Sequence, residues 1–333
     1  MHRALQWAFS AVACGALSCG GASATKTAAG NPKVTRPEPE VFDTAPVPAP
    51  RGLFAVVRVQ NPGKLADTVV DWLKLPLDWR GFLRREGLDV DKVLMPQAPM
   101  DFMAAFGSEG RDSEEPLWSV SVGVFSLEAA LDFARQNGHP VQRLMPGVYQ
   151  FLQTEEAYCA VAAARGAAPA RVVCSDRRQD VEALLPYATR GLPDQSFGDA
   201  ALHAELLVSA VREHYAAHLR QFRPFAQGLV RELAIDNPRF DKALEQALYA
   251  LSDEAQVLAQ DLDRVAFDLT ISPGAQAVEL EFGTRFIGSK SWTAQALSDW
   301  SARAITAPEL FWRLPADSAG AYFTASNVAR RVE

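Results

Sequence analysis

Several things are scarce in this 333-residue chain, and each scarcity narrows what the protein does. It holds only five histidines and four cysteines. After the first twenty residues no stretch approaches 18 uncharged apolar residues, so no transmembrane helix is expected. There is no C-x-x-C, which removes the usual sequence support for a thioredoxin-like redox role or a zinc ribbon. No P-loop, G-x-G-x-x-G or G-x-S-x-G is present, so nucleotide and acyl-enzyme mechanisms lack their usual motifs and no cofactor is expected. Basic residues are outnumbered, 33 to 40, and form no stripe, which argues against a nucleic-acid partner.

What is present begins at the N-terminus. Residues 1–18, MHRALQWAFSAVACGALS, place Arg3 before an apolar run from Ala4 to Leu17 and close on small residues. That is the layout of a secretory signal peptide. The next residues, Ala16-Leu17-Ser18-Cys19, resemble the bacterial lipobox, in which a cysteine becomes the new N-terminus and carries acyl chains. The departure is that the family usually has Leu three before the cysteine, whereas Leu17 stands two before. Ala11-Val12-Ala13-Cys14 is a poorer match, because it leaves a short apolar core. The alternative is cleavage near Ala22 or Ala24, giving a soluble secreted protein. The resemblance implies lipidation at Cys19, export and attachment to a bacterial envelope membrane. Gly20 stands where an inner-membrane retention signal usually has Asp, which favours the outer membrane. Losing Arg3 with the leader leaves 32 bases against 40 acids.

From Cys19 to Pro50 the chain is rich in Pro, Ala, Thr and Gly and shows no periodicity. Such a segment buries too little apolar area to offset its chain entropy and reads as a tether, with a span of about 30 Å as a flexible coil. Hydrophobic residues make up 48% of the sequence, enough to pack a core in the body after Pro50.

Strand signals fall at 53–59, 101–106, 117–125, 148–153, 158–164 and 170–175. Helix signals fall at 61–73, where Asn61-Pro62 supplies cap and first turn, at 79–86, at 126–137 between Ser126 and Gly138, and from Asp176 to Leu185. The stretch 201–209 is ambiguous. Helices are expected at 210–222, 225–235 and 239–261. Val265, Phe267, Leu269 and Ile271 then alternate with polar residues. Pro273-Gly274 makes a turn, and Val278, Leu280 and Phe282 alternate with Glu279 and Glu281. A helix at 291–304 is expected to cover part of that sheet. Strands and helices mix without strict βαβ order, so the fold class is α+β, with antiparallel or mixed sheet units covered by helices over residues 51–310. The end, LPADSAGAYFTASNVARRVE at 314–333, echoes PAPRGLFAVVRVQNPGKLAD at 48–67, with Asn327 answering Asn61. Residues 311–333 therefore read as the start of a second repeat that the chain cuts short.

Cys159 and Cys174 remain as an even pair in an oxidising compartment. If the segment between them is a hairpin centred between Gly166 and Ala167, the two stand directly opposite. Cross-strand Cβ atoms lie slightly too far apart for a disulfide without local adjustment. His214 and His218 sit at i and i+4, a spacing that holds a metal on one helix face, with His203 or an acid to complete it. The same histidines lie in or beside an apolar stripe of Leu207, Val211, Tyr215 and Phe222, which reads more simply as packing. Asp89-Val90-Asp91 lacks the Gly and Glu of a calcium loop. Trp292 and Trp300 share a helix face and read as core before they read as a binding platform.

The export signal, Pro-rich tether and βα units together resemble the uncharacterised lipoproteins of bacterial envelopes, a resemblance that brings no catalytic residues. The expected function is a non-enzymatic envelope module that binds a protein or polymer partner. The alternatives are a metal-dependent hydrolase on His214 and His218, and a structural spacer.

Overall fold

A computed structural model of the chain describes residues 42–85, 92–107, 115–154, 157–216, 237–272, 274 and 277–301. The fold is α+β. In chain order the strands are β1 Leu53–Val59, β2 Met100–Ala105, β3 Leu117–Val124, β4 Gln142–Met145, β5 Val148–Gln153, β6 Tyr158–Ala162, β7 Ala170–Ser175, β8 Leu202–Leu207, β9 Leu262–Ser272 and β10 Ala277–Phe286. The helices are α1 Pro62–Leu73, α2 Trp79–Arg85, α3 Leu127–Gln136, α4 Arg178–Arg190, α5 Val208–His214, α6 Pro238–Asp261 and α7 Trp292–Ser301.

The described residues fall into two compact units. One comprises those up to Ala210 with Ala266–Gly283, and the other comprises Val211–Val265 and those from Thr284 onward. The strands form one sheet in the order β10-β9-β8-β1-β2-β3-β7-β6-β5-β4, and the first unit holds all of it except Leu262–Val265 of β9 and Thr284–Phe286 of β10. The pairings of β1 with β2 and β8, of β2 with β3, of β3 with β7, and along β4 to β7 are all antiparallel. Strands β6 and β7 are buried on both faces, so they read as short continuous apolar runs.

Each face has its own cover. On one, α4 and a 3₁₀ turn at Leu192–Asp194 lay Val181, Leu184, Tyr187 and Leu192 against Val56, Met103, Ala160 and Val173. On the other, α3 lays Ala130, Leu131 and Ala134 against Val124, Leu152, Val161 and Val172. Burying a side chain of Leu or Val size contributes about 1.5–3 kcal/mol, so truncating the fully buried Leu184 is among the costlier single changes here.

Local chemistry sets the helix ends. The Asn61 side chain accepts from Lys64 N–H at 2.9 Å, with Pro62 at the first helical position of α1. Ser126 does the same for α3 through Ala129 N–H at 3.0 Å, and Gly138, at φ +74°, closes its other end. α4 departs from expectation. It runs through Pro186 to Arg190 instead of stopping at Leu185. Proline removes one bond in the ladder, but the next turn buries Tyr187, Ala188 and Thr189, and that packing outweighs the loss. The ambiguous stretch is strand β8, and β4, a four-residue edge strand with no sequence signal, is a further element.

The segment expected to be free tether also differs at its end. Residues 42–50 have no regular secondary structure but are held to the body. Phe42 packs against the larger core cluster, the Thr44 carbonyl accepts from Arg165 Nε at 2.6 Å, and Asp43 pairs with Arg190. Phe42 supplies the apolar anchor that the Pro- and Ala-rich stretch before it lacks. Cys19, the helix expected at 225–235 and the echo at 314–333 lie outside the described residues.

In the second unit, α6 begins at Asn237, whose side chain accepts from Arg239 and Phe240 N–H. The buried Asp261 at its end accepts from Ser291 N–H at 2.6 Å, and Glu254 takes Trp292 and Thr293 N–H, capping the start of α7.

Candidate functional site

The densest charged cluster is inside the first unit. Each of three apolar strands carries one charge: Arg58 in LFAVVRV, Asp101 in MDFMAA and Arg171 in ARVVCS. All three are buried, Asp101 completely. Arg58 Nε donates to Asp101 Oδ1 and Arg171 Nη2 to Oδ2, both at 2.6 Å. Both guanidiniums make further bonds. Arg58 reaches the Leu192 and Gln195 carbonyls, and Arg171 reaches Ser121 Oγ at 2.7 Å and the Pro99 and Ser121 carbonyls. Burial pulls the Arg171 guanidinium below its ordinary value. The charge of Asp101 opposes that shift and Arg58 adds to it. With its charges bonded to one another and to carbonyls, the cluster is a strut tying β1, β2, β3 and β7 to the turn after α4, not a reacting centre.

The strut continues outward. The Arg58 guanidinium lies 4.4 Å over the Phe197 ring, Phe197 is 4.9 Å from the His203 ring, and His203 Nδ1 is 2.7 Å from Asp268 Oδ1. His203, the candidate third zinc ligand, thus has one ring nitrogen committed to a carboxylate on β9. A second buried acid, Asp180, stands in the first turn of α4, where a carboxylate suits the helix dipole. It accepts from Trp118 N–H, Ser175 Oγ and Arg177, joining helix to sheet.

The structure brings Cys159 and Cys174 together. They are register partners on β6 and β7, their sulfurs 2.08 Å apart and their α-carbons 4.2 Å apart. The turn between them closes with reciprocal bonds of Arg165 and Ala168, with Gly166 at φ +56°. His214 ends α5, its ring edge-on to Tyr215 at 4.7 Å, and His218 lies outside the described residues. Among the described residues no group of three or more His, Cys, Asp or Glu is placed to hold a metal ion.

Exposed apolar surface is the other candidate. On β10, Val278, Leu280 and Phe282 are 45%, 63% and 69% exposed in alternation with Glu279 and Glu281. The period-2 pattern was legible in the sequence, and the exposure of its apolar side was not. Trp72, Leu73, Leu75 and Leu77 form a second exposed group where α1 gives way to α2. A signal for the strut was also in the sequence, as one charge in each of three apolar strands, but no motif marks such charges as partners.

No family model, curated protein or solved structure matches this chain.

Proposed function

We propose that this protein is an exported, lipid-anchored envelope module that acts by binding a protein or polymer partner and not by catalysis. The leader and Cys19 support the address, and the cysteine pair at bonding distance suits an oxidising compartment. The observation that carries the binding reading is the exposed row Val278, Leu280 and Phe282 on β10. A strand with three large apolar side chains open to water marks an interaction surface more often than it serves the fold. The metal-hydrolase alternative draws nothing from the ring contact of His214 with Tyr215.

Two measurements on the full chain test the proposal. A photoreactive residue at Phe282, activated in the native envelope, is expected to give one dominant adduct that Leu280→Lys abolishes. Intact mass is expected to show residue 19 acylated and residues 1–18 gone. An unmodified Cys19 or a retained leader would overturn the address. Stoichiometric zinc lost in His218→Ala would overturn the binding reading in favour of the enzyme.

A further inference from the structure

The surface under residues 42–50 is cut to take an extended segment, and the structure shows which segment fills it. Phe42 packs against the larger core cluster and passes beside Gly147, in the turn between β4 and β5, at φ +69°. A Cβ at Gly147 would collide with the Phe42 side chain, and one at Gly191 with the Val47 carbonyl. Two bases complete the groove. Arg165 Nη1 is fixed by the Arg190 carbonyl at 3.0 Å and Asp194 at 2.8 Å, which leaves Nε to donate to the Thr44 carbonyl at 2.6 Å. Arg190 pairs with Asp43, the one charged residue of FDTAPVPAP at 42–50.

The link from this strap to its own body is slight. Phe42 to Thr44 and Val47 make the contacts, while Pro48 and Ala49 are exposed. Pro46, Pro48 and Pro50 fix their own backbone and keep the residues before them extended. The strap folds back onto its own chain through one turn, closed by the Leu53 N–H donating to the Pro50 carbonyl at 2.9 Å. Opening that turn carries the strap away whole and leaves the groove unaltered. The strap of another copy would then find identical contacts, and exchange of an identical element is a low-cost route to a dimer because only the hinge differs.

We infer that this groove takes residues 42–50 of a second copy, so that two chains pair by reciprocal exchange of their straps where copies are crowded. Docking within one chain competes, because its short link gives the strap a high effective concentration at its own groove. Exchange gains when copies are concentrated or when the strap is loosened from its own body. The inference rests neither on the acyl chain nor on the partner proposed for β10, so each fails separately.

The test separates the two forms by charge, on full chains. Asp43→Arg sets two bases against each other, and Arg190→Glu sets two acids, so each variant loosens its own strap. Mixed, every strap meets a groove of opposite charge in the other variant. Each variant is made with two different C-terminal tags, and one tag is used to retrieve the other. Retrieval of Asp43→Arg chains by Arg190→Glu chains is expected to exceed retrieval of either variant by itself at least about tenfold, and to fall as salt is raised. A second measurement needs only Asp43→Arg, a change at an exposed position. A fluorescent peptide of residues 42–50 should bind that full chain, and the same peptide carrying Asp43→Arg should not. Retrieval no greater in the mixture than in each variant alone, or failure of the unaltered peptide to bind, would overturn the inference in favour of a strap that serves only its own chain.

Discussion

Two parts of one sheet invert the usual placement of charge and oil. In β1, β2 and β7, Arg58, Asp101 and Arg171 are sealed inside, while in β10, Val278, Leu280 and Phe282 stand in water. β10 alternates apolar and acidic residues with period 2, whereas β1, β2 and β7 are apolar runs broken by a single charge. Alternation says which residues share a face, but cover depends on chain elements distant in sequence. The buried charges persist because every one has partners. The exposed apolar row lacks that internal reason, which is why it is read as a surface for something else.

The comparison breaks most sharply at Asp101. Asp101→Ala leaves two guanidiniums buried beside each other and is expected to destabilise the fold by about 3–5 kcal/mol in urea unfolding. A loss under about 1 kcal/mol would mean the strut is solvated and the contrast with β10 is false. Next comes the disulfide. Cysteines 15 residues apart close a loop whose loss, in Cys159→Ala with Cys174→Ala, is expected to cost about 3 kcal/mol. The same experiment under reducing conditions should show no difference between the variant and the wild type.

Leu280→Lys and Phe282→Lys are expected to change stability by no more than about 0.5 kcal/mol, whereas Val173→Lys, in the same sheet but fully buried, should prevent folding. A large loss from the β10 variants would show that the row is core after all.

The smallest effect concerns pH. The Ala45 N–H and then Arg190 hold the Asp43 carboxyl below its usual value. A depressed folded value means its contribution is present above the ordinary carboxylate range and is lost as pH falls through the lowered value. Residues 42–50 should therefore loosen below about pH 4, seen as lower amide protection factors there, taken relative to intrinsic exchange at each pH, while β6 and β7 stay protected. Asp43→Asn should remove the pH dependence.

The legibility of the fold follows from the range of the forces involved. The starts of α1 and α3 were readable because a cap acts within three residues, at Asn61 and Ser126. The cysteine pairing was readable because a hairpin fixes register locally. The continuation of α4 past Pro186 was not, because burial of Tyr187 and Ala188 decides it. β4 escaped because a four-residue, mostly exposed edge strand needs no alternation. Of the candidate site, the apolar row was visible and its exposure was not. The strut needed three strands, 43 and 70 residues apart along the chain, to be imagined side by side.

The strap at 42–50 has a mechanical consequence. Because Thr44 is bonded to Arg165 and Asp43 to Arg190, a pull arriving from the N-terminal side meets the turn between β6 and β7 and the end of α4 before it can peel β1 from the sheet. The hairpin that takes that load first is the one its own sulfurs lock. Tension on the chain would thus be borne by a covalently closed element before it reaches β1 and its buried arginine.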